Sequence, residues 1–142
     1  MMLGYWNDPK RTAEAMEGGW FHSGDLVYVD EEGFYYVTDR KKDMIISGGE
    51  NVYSAEVENA LSFHPAIHEL AVVGKPHKKW GETPVVFVQV NEGFDVPTVE
   101  EIRDFVCKEL AKFKIPTEVY SIDALPRNTA GKVLKTKLRE LL

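Results

Sequence analysis

The sequence predicts a mixed α+β protein: an N-terminal β-hairpin arm, then a small mixed sheet with packed helices. Three observations carry that prediction. Short β-branched and aromatic runs alternate with amphipathic stretches, glycine or proline punctuates most junctions, and the charge balance changes sharply near Arg40. The 142 residues amount to about one domain's worth of chain, with 44% apolar and 28% charged residues. Disorder, collagen and coiled coil are excluded by that composition.

The elements follow in order. The first twenty residues read as polar and irregular, with Trp6, Met16 and Trp20 as apolar anchors. Leu26–Asp30 and Phe34–Thr38 form a hairpin across Glu31-Glu32-Gly33. A short run, Met44–Ile46, ends at Ser47-Gly48-Gly49. Ser54 reads as an N-cap ahead of Val57, Ala60 and Leu61, and His64-Pro65 stops that helix. Ile67–Val73 and Val85–Val90 read as buried strands separated by a loop that holds Trp80 and Gly81. Thr98 and Glu101 predict a capping box for a helix lined by Val99, Ile102, Phe105, Val106 and Leu110. Val119–Ile122 is a further strand and Pro126–Gly131 a polar loop. A closing helix carries Leu134, Leu138 and Leu141. The expected boundary separates an arm, residues 1–40, from a body, residues 41–142.

Charge and composition narrow the function. The net charge is −6, and all of it lies in residues 1–39, where two basic side chains face eight acidic ones. The rest is neutral, with basic clusters at Arg40-Lys41-Lys42, at Lys75, Lys78 and Lys79, and from Arg127 to Arg139. A nucleic-acid binder is basic overall, so no nucleic-acid partner is expected and small anions suit these clusters better. No apolar run approaches the ~18 residues of a membrane helix. The N-terminus lacks the basic start and apolar stretch of a signal peptide, so a soluble, cytoplasmic protein is expected. The single cysteine, Cys107, excludes an internal disulfide and a cysteine-based zinc site.

Several catalytic patterns fail. His64 and His68 are four apart, but Pro65 breaks the helix that would align them, so no metal site is expected. His22, Ser23 and Asp25 are too close in sequence to converge as a triad, and no nucleophile elbow is present. Gly131-Lys132 lacks the earlier glycine of a Walker loop, since Pro126 stands there. Taken alone, Lys132 is a surface lysine and Gly48-Gly49 a turn.

Three segments read together say more: Gly19-Trp20-Phe21-His22-Ser23-Gly24-Asp25, then Asp39-Arg40-Lys41-Lys42-Asp43 through Ser47-Gly48-Gly49-Glu50-Asn51, then Leu125-Pro126-Arg127-Asn128-Thr129-Ala130-Gly131-Lys132. Their order, with His-Pro and Trp-Gly-Glu segments between, resembles the adenylate-forming superfamily of acyl- and aryl-CoA synthetases, peptide-synthetase adenylation domains and beetle luciferases. The resemblance covers essentially the whole chain but only the end of such a protein. It implies the mobile C-terminal lid preceded by the last stretch of the large domain.

The resemblance also implies roles. Asp25 would accept from the vicinal ribose hydroxyls of ATP, and Arg40 would add donors towards ribose or phosphate. Lys132 would bridge the substrate carboxylate and the α-phosphate as pyrophosphate leaves. Lys42 matches the hinge position, where many relatives carry aspartate and others lysine. Gly49, with Gly48, would let the phosphopantetheine arm of CoA pass close to the backbone. Asn51 stands where some relatives hold the CoA phosphates with arginine, and Lys112 and Lys114 are the candidate substitutes.

The implied reaction joins a carboxylic acid to CoA through an acyl-adenylate, using ATP with Mg2+ held mainly by the large domain. An acyl-CoA synthetase in fatty acid metabolism is the leading expectation. A carrier-protein thiol in place of CoA, or a non-catalytic module of the same fold, are the alternatives. Alone, the chain is expected to be inactive and to bind ATP poorly. The arm is expected to be ordered by the body or by a second copy, the latter giving a homodimer.

Overall fold

A long antiparallel ribbon organises most of the protein in the computed structural model, which describes residues 2–142. The chain divides between Lys42 and Asp43 into two compact units, each with its own architecture.

The first unit opens with helix α1 (Pro9–Ala15), where irregular chain was expected. Asp8 caps it by accepting from the Arg11 N–H at 2.9 Å, and Pro9 supplies a preset φ in the first turn. Seven residues of helix leave little periodicity to read, but the Asp-Pro start was a visible signal. Trp6 and Trp20 do not anchor the unit: they are 98% and 75% exposed.

Strands β1 (Asp25–Val29) and β2 (Tyr35–Arg40) form the expected hairpin, each displaced from its predicted span. The ladder reaches Arg40 because Asp25 pairs with it in register, at the end of a sheet irregularity between Leu26 and Val27. Asp30 builds the turn, its Oδ1 accepting from the Glu32 and Phe34 N–H groups while Oδ2 accepts from the Tyr36 hydroxyl. These bonds, that from Phe34 foremost, hold the Asp30 carboxyl below its usual range.

The second unit contains β3 (Ile45–Ser47), β4 (Glu50–Val52), α2 (Ser54–Leu61), β5 (Ile67–His77), β6 (Gly81–Val90), α3 (Val99–Val106), β7 (Val119–Ser121) and α4 (Lys135–Arg139). Strands β5 and β6 pair from end to end, so the loop expected between Val73 and Val85 contracts to Lys78–Trp80. β6 also pairs with β3 at Ser47↔Gly81 and, in parallel, with β7 at Val86–Val88. Strand β4 was not expected; its exposed Glu50 and Asn51 hide it from apolar pattern-reading.

Alternate ribbon residues feed two cores. Val72, Val86 and Val88 pack with Val57, Leu61, Ile102 and Val106, while Ala71, Val73, Val85 and Phe87 pack with Leu125 and Leu138. Helices α2 and α3 therefore cover one face and α4 the other, which is why these strands read as continuous apolar runs. The capping box forms as expected, with Thr98 and Glu101 bonding reciprocally. Two expectations need correction. Phe105 and Leu141 stay substantially exposed, Phe105 resting edge-on against His64. Helix α2 takes Tyr53 as its cap residue, and the buried Ser54 hydroxyl accepts from Lys135 Nζ at 2.6 Å.

Candidate functional site

The expected nucleotide-binding pair lies together in the first unit. Arg40 Nε stands 3.0 Å from Asp25 Oδ1, directly across the β1–β2 ladder. Among the described residues no hydrogen bond reaches Asp25 Oδ2, and the side chain keeps about a third of its surface open. The backbone on either side is tied, with Lys41 N–H donating to the Gly24 carbonyl at 2.8 Å. An ionised carboxylate steadied at one oxygen and open at the other suits a hydroxyl-bearing ligand.

In the second unit, Gly48 and Gly49 are the two central residues of the β3–β4 hairpin. Their φ values of 62° and 88° give the left-handed pair that a tight two-residue turn requires. The Trp80-Gly81-Glu82 segment docks this hairpin. Gly48 N–H donates to the Trp80 carbonyl, Gly81 pairs with Ser47, and the Glu82 carboxylate accepts from Ile46 N–H at 3.3 Å. Its role was invisible in the sequence, because it depends on partners more than thirty residues away.

Beside the turn opens a cleft of about 360 Å³ whose lining includes Gly48, Glu50, Trp80, Lys112 and Phe113. Its walls are mainly apolar, and both aromatic rings are partly exposed. Lys112 has no ion-pair partner among the described residues, and Lys79 sits 4.4 Å from the Trp80 ring centre. The structure thus brings Gly48 and Lys112 together. It sends Lys114 elsewhere, into a 2.6 Å ion pair with Glu56.

Lys132 lies at the far end of the ribbon. Asn128 closes its loop: the Asn128 N–H donates to the Lys132 carbonyl, and Asn128 Oδ1 accepts from the Ala130 and Lys132 N–H groups. Arg127 pairs with Val133 as an isolated bridge, donates to the Gly131 carbonyl at 2.6 Å and meets Glu69 of β5 at 2.6 Å. The Arg127 guanidinium holds the Glu69 carboxyl below its usual range. The Lys132 side chain is exposed, and its ammonium has no partner among the described residues. Lys42 closes the first unit and has a partner of its own.

The two loops are far apart by construction. The Lys132 loop is tied to Glu69, the glycine turn to Gly81, and Gly81 pairs with His77. Eight steps along β5 lead from Glu69 to His77, a span of about 26 Å at the strand rise of roughly 3.3 Å per residue.

The chain is similar to known proteins over nearly its whole length. The AMP-binding enzyme C-terminal domain family matches residues 56–132, more than half of the chain, and the chain belongs to that family. It is 48% identical over 139 residues to the 2-succinylbenzoate–CoA ligase of Geobacillus kaustophilus, covering 98% of this chain and 28% of that protein. Among solved structures, the o-succinylbenzoate CoA synthetase of Bacillus subtilis, in complex with its acyl-adenylate intermediate, superposes with a TM-score of 0.88 at 42% identity. That match covers 98% of this chain and 28% of the synthetase. The same enzyme has been seen with ATP and a magnesium ion, at a TM-score of 0.86 and 40% identity over the same shares. The amide bond synthetase McbA of Marinactinospora thermotolerans matches with a TM-score of 0.85 at 40% identity, over 99% of this chain and 29% of that one. The chain thus spans less than a third of the length of these relatives. The ligases among them are named for 2-succinylbenzoate and lend no support to the fatty acid expectation.

Proposed function

We propose that residues 41–142 are the mobile lid of an AMP-forming acid–CoA ligase, and that residues 1–40 are the end of its large domain. The first half-reaction joins a carboxylic acid to Mg·ATP, giving acyl-adenylate and pyrophosphate. In the second, CoA thiolate attacks the acyl carbonyl and AMP leaves. Lys132 neutralises charge at the α-phosphate in the first step. Asp25 receives the ribose hydroxyls, with Arg40 beside it.

The observation that carries this reading is the separation of the two loops on one ribbon. The lysine loop and the glycine turn are tied to β5 positions about 26 Å apart, too far for both to serve one reaction centre together, so the lid turns about Lys42 to present each in its own step. The apolar cleft between Trp80 and Phe113, next to Gly48, suits the flat base of CoA, with Lys112 for its phosphates. The pantetheine arm then crosses Gly49, where an added Cβ would stand in open space. The exposed apolar face of the β1–β2 hairpin, made by Val27, Val29, Tyr35 and Val37, is the seat for the rest of the large domain.

The relatives make 2-succinylbenzoate the acid to test first. Full-length protein given that acid, ATP and Mg2+ should release pyrophosphate and, with CoA, form a thioester. Failure to form any acyl-adenylate from a panel of aryl and alkyl acids would sink the reading. The likeness to an amide bond synthetase favours one further reading, in which an amine takes the acyl group. Acyl-adenylate that turns over with amines but not with CoA would select it.

A further inference from the structure

We propose that Arg127 is a positioning residue for Lys132, a role that rests on the reading of Lys132 given above. The main chain of Lys132 is already fixed at both polar groups by Asn128. That closes the loop on itself but does not tie it to the sheet. Leu125 and Val133 seat the ends of the loop on the ribbon, and Arg127 supplies the polar tie between them. One nitrogen of its fork donates to the carbonyl of Gly131, the residue before Lys132, and another meets Glu69 on β5, both at 2.6 Å. A planar guanidinium holding two acceptors sets the angle between them, which a point charge cannot do. The direction in which the Lys132 side chain leaves the loop is therefore referred to the ribbon.

A simple surface ion pair would be the other account of Arg127 and Glu69. Both side chains keep more than a third of their surface exposed, so the pair adds little to stability. Its geometry matters more than its strength. The Gly131 carbonyl belongs to a glycine at φ 79°, a hinge-like position where the chain direction is least self-determined. The arginine grips the loop at that carbonyl.

The test compares Arg127→Met, which keeps the aliphatic stem, with Arg127→Lys and Lys132→Ala in the full-length ligase. Single-turnover acyl-adenylate formation, KM values, thioester formation from pre-made acyl-adenylate and thermal stability are measured for each. Arg127→Met should slow adenylation about 10- to 100-fold, the effect of a misplacement near 1 Å. Its KM for ATP and acid should stay within about twofold, because the lost interaction acts in the transition state. Thioester formation and melting temperature should be unchanged. Arg127→Lys should fall between, since an ammonium keeps the Glu69 pair but not the fork. Wild-type adenylation by Arg127→Met, with Lys132→Ala impaired, overturns the proposal and leaves the role of Lys132 standing. Equal loss of both half-reactions together with melting temperature also overturns it, by making Arg127 merely structural. Undiminished adenylation by Lys132→Ala removes the underlying reading and the proposal with it.

Discussion

Gly48 and Trp80 hold each other in place: the Gly48 N–H donates to the Trp80 carbonyl at 2.8 Å, and a Cβ on Gly48 would stand 2.9 Å from Cε3 of the ring. A Cβ on Gly49 would meet nothing within 4 Å. The two adjacent glycines serve different ends. Gly48 permits close packing, and Gly49 leaves the turn open towards solvent.

Alanine substitutions should separate those ends. Gly49→Ala incurs only the left-handed backbone penalty, about 1–2 kcal/mol. Gly48→Ala adds an overlap with the indole, about 1–3 kcal/mol more. Urea unfolding of this chain should rank Gly48→Ala as clearly less stable than Gly49→Ala. Equal midpoints would mean that Trp80 moves aside without cost.

Lys132 and Gly49 should fail in opposite half-reactions of the full-length protein. Lys132→Ala should slow acyl-adenylate formation by about 10²–10³, the usual worth of one preorganised electrostatic donor. Given pre-made acyl-adenylate and CoA, it should form thioester at nearly the normal rate. Gly49→Leu should adenylate normally and lose the thioester step. The same loss in both steps for Lys132→Ala, with the fold intact, would remove its assignment.

Lys135 is a stability residue by the same standard of geometry. Its ammonium lies 2.7 Å from Glu58 and 2.6 Å from the Ser54 hydroxyl, and Glu58 also accepts from Val72 N–H at 2.8 Å. The pair joins α4 to α2 and β5 with little exposure on either side chain. Lys135→Met would strand a largely buried carboxylate, so it should cost about 3 kcal/mol. Lys137→Met, whose partner Glu140 is well exposed, should cost about 1 kcal/mol or less. Denaturation midpoints that fail to separate the two would contradict this account.

His64 gives the protein a stability step just below neutral pH. Burial lowers its pKa below the ordinary value near 6.5, outweighing the attraction of Glu101, and Nδ1 accepts from Ala66 N–H. The unfolded chain therefore binds the proton more readily than the folded one. Stability should be full above about pH 6.5 and fall as pH drops towards the folded pKa. His64→Gln should flatten that slope just below about pH 6.5, above the carboxylate titrations. An unchanged slope in the variant would assign the effect to another group.

What was legible in the sequence was local. The Thr98–Glu101 box spans four residues and needs no tertiary partner, so pattern and structure agree. Helix α1 and strand β4 were missed because seven and three residues carry too little periodicity. Within the candidate site, Lys112 and Lys114 looked equivalent, yet they belong to a 3-10 turn. There, residues two apart point ~120° away from each other, so only Lys112 meets the cleft. The pairings of Arg127 with Glu69 and of Lys135 with Glu58 cross the fold, and no spacing rule announces them.

The β5–β6 ribbon works as a ruler, and rulers have graduations. Between Glu69 and His77 the pairing runs without interruption. Inserting or deleting one residue there would shift one loop by about 3.3 Å and turn every later side chain to the opposite face. Val72 and Val73 would then exchange cores, each arriving where the other's neighbours were shaped to fit. Chimeras built from related chains should therefore tolerate exchange of either tip, the glycine turn or the lysine loop, at almost any sequence divergence. A crossover inside the ribbon should succeed only when both parents count the same number of residues from tip to tip.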